Sequence, residues 1–191
     1  MRIEWPEAPD VRFDGEGVHL AWPRPGAEAR YCGAAVPWRA VRDVDDRSSP
    51  QLRLHDGRTV FLGRDTAPAL RAAAADAGVP CVFRAPVWSW LLEPFLDSDY
   101  AANRDDVEHN LREHGFTAAE TRRIRRRVGA RMTAYNLLMW EWFDLDQRDL
   151  LNAWRLVRPT PTHAPWRSYR RFRQWTDRIA DRGRPGGPLT A

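Results

Sequence analysis

The 191-residue sequence contains no lysine, so all 30 of its basic side chains are arginines. Without lysine there is no side-chain amine for Schiff-base chemistry or for the phosphate contact of a P-loop. The signatures GxxxxGK[ST], GxGxxG after a strand and GxSxG are also missing, which excludes nucleotide hydrolysis by a P-loop. These absences favour a binding protein over an enzyme, and no cofactor is predicted.

Cysteines and long apolar runs are equally scarce. Cys32 and Cys81 lie far apart and lack the CxxC or Cys/His spacing of a zinc or redox site. We expect two free thiols in the core, since unpaired cysteine is usually buried. No apolar stretch approaches eighteen residues, and no basic stretch followed by an apolar run opens the chain. The sequence therefore predicts no integral membrane association and a cytoplasmic location.

The residues that are present predict an α+β protein. A content of 43% apolar residues suffices for one or two domains. Antiparallel β structure with a closing helix is expected over residues 1–84, and a helical bundle over 85–157. Residues 158–191 are expected to hold a proline-rich linker, a basic aromatic helix and a disordered tail.

Turn chemistry locates the strands of the first part. The alternation over 52–62 around Asp56-Gly57 predicts a tight hairpin, and another hairpin is expected over 11–22. Residues 29–45 are expected to be extended, with a bulge or break near Ala40. A helix over 67–77 closes this part.

The segments FDGEGVHLAW, AVPWRAVRDV and LRLHDGRTVFL, followed by that helix, resemble the small bacterial pleckstrin-homology-like modules. In that family a strand containing tryptophan precedes a hairpin and a terminal helix. The resemblance covers about the first 80 residues. It implies a fold and a role as a binding or assembly platform, and it carries over no catalytic or ligand-binding residue.

Helical periodicity dominates the rest of the chain. Pro94 is expected to kink or end the first helix. Thr117 and Glu120 form a T-x-x-E capping box for a long helix over 118–143. Its second half is apolar nearly all round, Leu137 included, and is expected to be enclosed by other elements. The helices are expected over 86–96, 102–114, 118–143, 146–157 and 166–182.

Arginines form two clusters that are candidate nucleic-acid contacts. Guanidinium groups pair with phosphates and aromatic rings stack on bases, so the two together suit nucleic acid. Residues 158–191 carry 8 arginines against 2 acids. The candidate residues are Arg122, Arg123, Arg126 and Arg127 in the long helix, and Trp166, Arg167, Arg170, Arg171, Arg173 and Trp175 in the C-terminal segment.

Three alternatives stay open for these clusters. The arginines can form a solvated face held by ion pairs, with the aromatics docked on the body. The protein can be an interaction or assembly module, including a homo-oligomer, with no role in nucleic-acid binding. Another acidic macromolecule can also be the partner, whereas a membrane surface is disfavoured because arginines interrupt the apolar face of the last helix.

Acidic residues provide the remaining candidates, for an enzyme site in the bundle. Asp105, His109 and Glu113 share one helical face and are weak candidates for a metal site, because they match no known metal motif. Glu93 and Glu141 lie within apolar runs, where burial would raise a carboxyl pKa. Pairing of each with an arginine is the alternative.

Overall fold

A computed structural model describes residues 9–23, 26–47, 49–96, 100–139, 145–156 and 166–184. The chain divides into two compact units. Unit 1 comprises Met1–Arg84 and Ala164–Asp177, and unit 2 comprises Ala85–His163 and Arg178–Ala191. The helix of the C-terminal segment contributes residues to each unit. The predicted linker over 158–165 lies outside the described residues.

Unit 1 contains two three-stranded antiparallel sheets. The first has the order β1-β2-β3 and the second β4-β5-β6. Val18 of β2 pairs with Val36 of β3, and Leu52 of β5 pairs with Val60 of β6. All four side chains are buried. The strands are β1 (Asp10–Phe13), β2 (Gly17–Ala21), β3 (Ala35–Pro37), β4 (Val41–Asp45), β5 (Gln51–Leu54) and β6 (Thr59–Phe61).

Local turn chemistry explains the second sheet. Gly57 has a φ of 85° in the turn between β5 and β6, a value that glycine adopts without steric cost, and the predicted hairpin is confirmed. The register shifts between Val41 and Asp43, directly after a 3₁₀ turn at Trp38–Ala40. This confirms the irregularity predicted near Ala40. Helix α2 (Ala67–Asp76) follows β6 after a second 3₁₀ turn.

Two predictions for unit 1 are wrong. Residues 29–45 are not extended throughout, because Ala27–Cys32 forms helix α1, with Glu28 in its first turn and Arg30 in its last. Those charges match the helix dipole, and the helix buries Tyr31 and Cys32. Cys81 is exposed, so only Cys32 is a core thiol.

Unit 2 is helical. It contains α3 (Val87–Leu92), α4 (Tyr100–Glu113), α5 (Ala118–Met139), α6 (Gln147–Leu156) and the end of α7 (Trp166–Asp181). As predicted, α3 ends just before Pro94, where a 3₁₀ turn takes over. Helix α5 packs against α3, α4 and α6. Among the described helices, none combines the length and apolar character needed to span a bilayer.

Helix α5 buries the predicted stripe. Ile124, Val128, Met132 and Tyr135 are at most 4% exposed. The expectation that the second half is enclosed on all sides is wrong for Leu137, which is 74% exposed. Leu137 follows Tyr135 by two residues, which places it about 200° around the helix from that buried side chain. Residues 140–143, the rest of the predicted helix, lie outside the described residues.

The disordered tail is predicted to begin after residue 182, which is too early. Gly183 is buried, and the Ala85 amide donates a hydrogen bond of 2.8 Å to its carbonyl oxygen. Both residues belong to unit 2. The order of the chain therefore extends at least to this contact, and residues 185–191 lie outside the described residues.

Candidate nucleic-acid interface

Helix α5 begins with the predicted cap. The Glu120 amide donates a hydrogen bond of 3.1 Å to Thr117 Oγ1, which satisfies one of the amides that have no partner within the helix. The Glu120 carboxylate accepts a hydrogen bond of 2.8 Å from Arg182 in the same unit. Glu120 is the only acid among residues 118–139, so α5 has no other acid to offer its six arginines.

Four of those arginines project outward, and together they are called the α5 patch. Its members are Arg122, Arg123, Arg126 and Arg127, and all are exposed. Within the described part of the chain, Arg122, Arg123 and Arg126 make no ion pair. The alternative of a solvated face held by ion pairs therefore has no support at these three positions.

The other two arginines of α5 turn towards the protein. Arg125 forms an ion pair with Glu108 and donates hydrogen bonds to the carbonyl oxygens of Trp90 and Leu91, at 3.1 and 3.2 Å. The guanidinium of Arg131 lies 4.2 Å from the centroid of the Trp154 ring. These two side chains have structural roles within unit 2.

The spacing of the α5 patch is electrostatically unfavourable for the isolated helix. Arg122 and Arg126 are four residues apart, as are Arg123 and Arg127. Like charges at this spacing destabilise a helix by about 0.2–0.5 kcal/mol per pair. The residues four positions before Arg122 and Arg123 are alanines, and Glu120, three positions before Arg123, is already paired with Arg182. An external anion would relieve the repulsion.

Helix α7 carries a second exposed cluster within unit 1, called the α7 patch. Its members are Arg167, Arg170 and Arg171, which are exposed and make no ion pair with any residue that the structure describes. Their spacing of three and four residues places them on one face of the helix. The opposite face buries Tyr169, Phe172 and Thr176.

Arg173, a predicted partner contact, does not face solvent. Its side chain is 0% exposed and forms ion pairs with Asp177 at 2.5 Å and Glu28 at 3.2 Å. It also donates a hydrogen bond of 2.7 Å to the Thr59 carbonyl oxygen. Buried charges require such partners, so the arginine is occupied within unit 1. The prediction for Arg173 is therefore corrected, and it is removed from the candidate interface.

The groups around Arg173 form one buried polar network. The Tyr31 hydroxyl donates a hydrogen bond of 2.9 Å to Asp177, and the Tyr169 hydroxyl donates one to Glu28. Burial alone would lower the pKa of Arg173, but attraction to Asp177 and Glu28 outweighs it and raises that pKa. Burial, followed by the nearby Glu28, raises the pKa of the Cys32 thiol well above its usual value.

The α7 aromatic side chains that the structure describes do not supply a stacking surface. Tyr169 and Phe172 are each 3% exposed. Trp175 is half-buried, and its ring lies against Phe172 with the centroids 5.6 Å apart. Trp166 begins the helix, but its side chain lies outside the described residues. The burial of Tyr169 and Phe172 agrees with the alternative in which these aromatics pack on the body of the protein.

The weak metal candidates do not converge. Asp105, His109 and Glu113 are all exposed on α4, and eight residues of helix separate the first from the last by about 12 Å. Within the described residues, no group of three His, Cys, Asp or Glu side chains could hold a metal ion. Glu93 is half-buried and interacts within the protein, whereas Glu141 lies outside the described residues.

Asp149 is a perturbed group that sequence reasoning did not single out. It accepts hydrogen bonds from the Tyr135 hydroxyl at 3.2 Å and from the Asp146 amide at 2.9 Å. Asp146 in turn accepts from the Arg148 amide at 2.6 Å. Burial and the charge of Asp146 raise the pKa of Asp149 to about 7. The D-x-x-D spacing before an apolar run was the available signal, since it resembles a capping box.

Comparison with protein-family models, with curated proteins and with solved structures finds no match for this chain. A functional proposal therefore depends on the two arginine patches and on the chemistry they allow.

Proposed function

We propose that this protein is a non-catalytic binding protein whose partner is an anionic macromolecule, nucleic acid in the first place. One observation carries the proposal: Arg122, Arg123 and Arg126 are exposed on one helix and make no ion pair within the described residues. Arginine is always charged at physiological pH and its planar fork fits phosphate oxygens. The α7 patch offers the same chemistry in unit 1.

Nucleic acid is favoured over an acidic protein because the α5 patch repeats a single type of side chain, arginine. Phosphates recur along a nucleic-acid strand about every 3.4 Å of axial length, so neighbouring guanidinium groups can each find an equivalent partner. Protein interfaces instead combine arginine with aromatic anchors in a desolvated centre. Leu137 and Phe83 are the only large apolar side chains that are exposed among the described residues.

For unit 1 we also propose the pleckstrin-homology-like fold over residues 1–84. The two antiparallel sheets and the helix α2 that follows β6 support it. Unit 1 additionally includes Ala164–Asp177, so experiments on its fold require the full chain. A crystal structure in which the two sheets do not pack in the manner of that family would contradict this part.

The binding proposal is tested by measuring the affinity of the full chain for labelled DNA and RNA over a salt series. In the test variant, Arg122, Arg123 and Arg126 are changed to alanine. The control variant changes Arg104, Arg112 and Arg184 to alanine, which are exposed arginines of the same unit. Each variant lowers the net charge by three, from +4 to +1.

Loss of binding in the test variant, with binding kept in the control, is the expected result, because the proposal depends on position and not on total charge. Equal losses would mean that net charge alone attracts the nucleic acid. Absence of binding by the unchanged protein at low salt would refute the proposal. The interaction or assembly module, including self-association, would then be the function to pursue.

A further inference from the structure

We infer that the nucleic acid is double-stranded and is held through its phosphate backbone, without readout of base sequence. This inference rests on the proposed function and narrows its partner. Two observations support it. Most of the described aromatic side chains are buried or half-buried, and the exposed positions that flank the α5 patch are alanines.

Proteins that hold single strands stack bases on exposed aromatic rings, and each stacked base contributes about 1–3 kcal/mol. Among the described residues, Phe83 is the only aromatic side chain that is exposed, at 71%. Its ring is already covered on one face, since the Arg47 guanidinium lies 3.4 Å from its centroid. Of the α7 aromatics, Tyr169, Phe172 and Trp175 are buried or half-buried, and the side chain of Trp166 lies outside the described residues. The described surface thus lacks a row of stacking platforms.

Without stacking, affinity depends on the density of phosphate charge. A duplex carries one negative charge per about 1.7 Å of axis, whereas each strand contributes one per about 3.4 Å. Arg122 and Arg126 are separated by about 6 Å along a rigid helix. Such a fixed row of charges interacts more strongly with the denser and stiffer of the two polymers. The α5 patch therefore favours the duplex.

Arginine itself can contact guanine, but readout of a mixed base sequence also needs side chains such as Asn or Gln for adenine and Glu or Asp for cytosine. The exposed positions that flank the α5 patch on its helix are Ala118, Ala119 and Ala130. Alanine reaches no base donor or acceptor. The arginines are thus surrounded by side chains that permit close approach of a backbone and add no discrimination.

The test measures fluorescence anisotropy of the full chain with five labelled probes. Two are 20-base-pair DNA duplexes of unrelated sequence, one is a 20-base-pair RNA duplex, one is a 20-residue oligothymidine and one is a 20-residue oligouridine. The two DNA duplexes are expected to bind within about twofold of each other, and each single strand at least tenfold more weakly than the duplex of its own chemistry. The difference between the DNA and RNA duplexes identifies which backbone is preferred.

The salt dependence supplies a second measurement. Each phosphate contact contributes about −0.9 to the slope of log K against log salt for duplex DNA. Changing Arg122, Arg123 and Arg126 to alanine should therefore make the slope shallower by about 2.7, while the control with Arg104, Arg112 and Arg184 changed should keep it.

Two failures are distinguishable. Single strands that bind as tightly as duplexes, or a preference above tenfold for one duplex sequence, would overturn this inference and leave the proposed function intact. Failure of all five probes to bind at low salt would overturn the proposed function and this inference together.

Discussion

Replacing Arg173 by alanine is expected to destabilise unit 1 severely. The substitution removes a fully buried cation, which is the nearest ion-pair partner of the Asp177 carboxylate at 2.5 Å; that carboxylate, itself 1% exposed, keeps only the more distant Arg53, at 4.0 Å. The Thr59 carbonyl oxygen also loses the hydrogen bond that the guanidinium donates to it. The rings of Tyr31 and Phe61, each with its centroid 5.1 Å from the guanidinium, lose a packing partner.

The magnitude follows from the cost of a buried charge that has lost its nearest partner. Removing one partner of a buried ion pair costs about 3–5 kcal/mol. With a urea dependence of about 2 kcal/mol per molar, a loss of 4 kcal/mol lowers the unfolding midpoint by about 2 M. Stability changes at exposed sites usually stay within about 0.5 kcal/mol. The matched control is therefore Arg170→Ala, on the exposed face of the same helix.

The assay is urea unfolding followed by circular dichroism for the two variants and the unchanged protein. A double variant, Arg173→Met with Asp177→Asn, removes the cation and the facing charge together and keeps an acceptor for Tyr31. With the single variants Arg173→Met and Asp177→Asn measured as well, we expect the double variant to be more stable than the sum of their two effects predicts, by about 0.5–3 kcal/mol. An Arg173→Ala midpoint equal to that of Arg170→Ala would refute the buried network as a source of stability.

Three further predictions concern pH, one arginine pair and the thiols. The raised pKa of Asp149 means that its contribution to stability is fully present below its ordinary pKa of 3.8 and is lost progressively as pH rises to about 7. The urea midpoint should therefore fall from about pH 4 to about pH 7, and this fall should shrink in Asp149→Asn. Arg125→Ala should lower the urea midpoint because the ion pair with Glu108 and the hydrogen bonds to the carbonyl oxygens of Trp90 and Leu91 are lost. Arg126→Ala should keep the midpoint and weaken nucleic-acid binding, and the opposite pattern would contradict the assignment of the two side chains. A thiol reagent should modify exposed Cys81 quickly and buried Cys32 only after unfolding, and equal rates would show that Cys32 is accessible.

Elements with local causes were predictable from the sequence. The Asp56-Gly57 hairpin, the cap at Thr117 and the end of α3 before Pro94 each depend on residues within a few positions of one another. Steric preference and capping hydrogen bonds act over that range, whatever the rest of the chain does. Helix α1 was missed because it has only six residues, so its stability comes from burying Tyr31 and Cys32 in tertiary contacts.

The buried state of Arg173 was beyond local reasoning for a different reason. Its carboxylate partner Glu28 is 145 positions away along the chain, and its carbonyl partner Thr59 is 114 positions away. The amino-acid composition does not distinguish Arg173 from the other arginines of a basic segment. Only the fold shows that two distant segments of unit 1 supply an acid and a carbonyl oxygen to that guanidinium.

Position on the helix nevertheless gives a rule that separates the arginines that turn inward from those that are exposed. Arg173 follows Tyr169 by four residues and precedes Thr176 by three, so it lies within the buried stripe of α7. Arg125 has buried Thr121 four residues before it and buried Val128 three after it, and it too turns inward. Arg122, Arg123 and Arg126 lack such a pair of buried neighbours. A count of arginines overstates the surface available to phosphates, and the face of the helix decides which of them can bind.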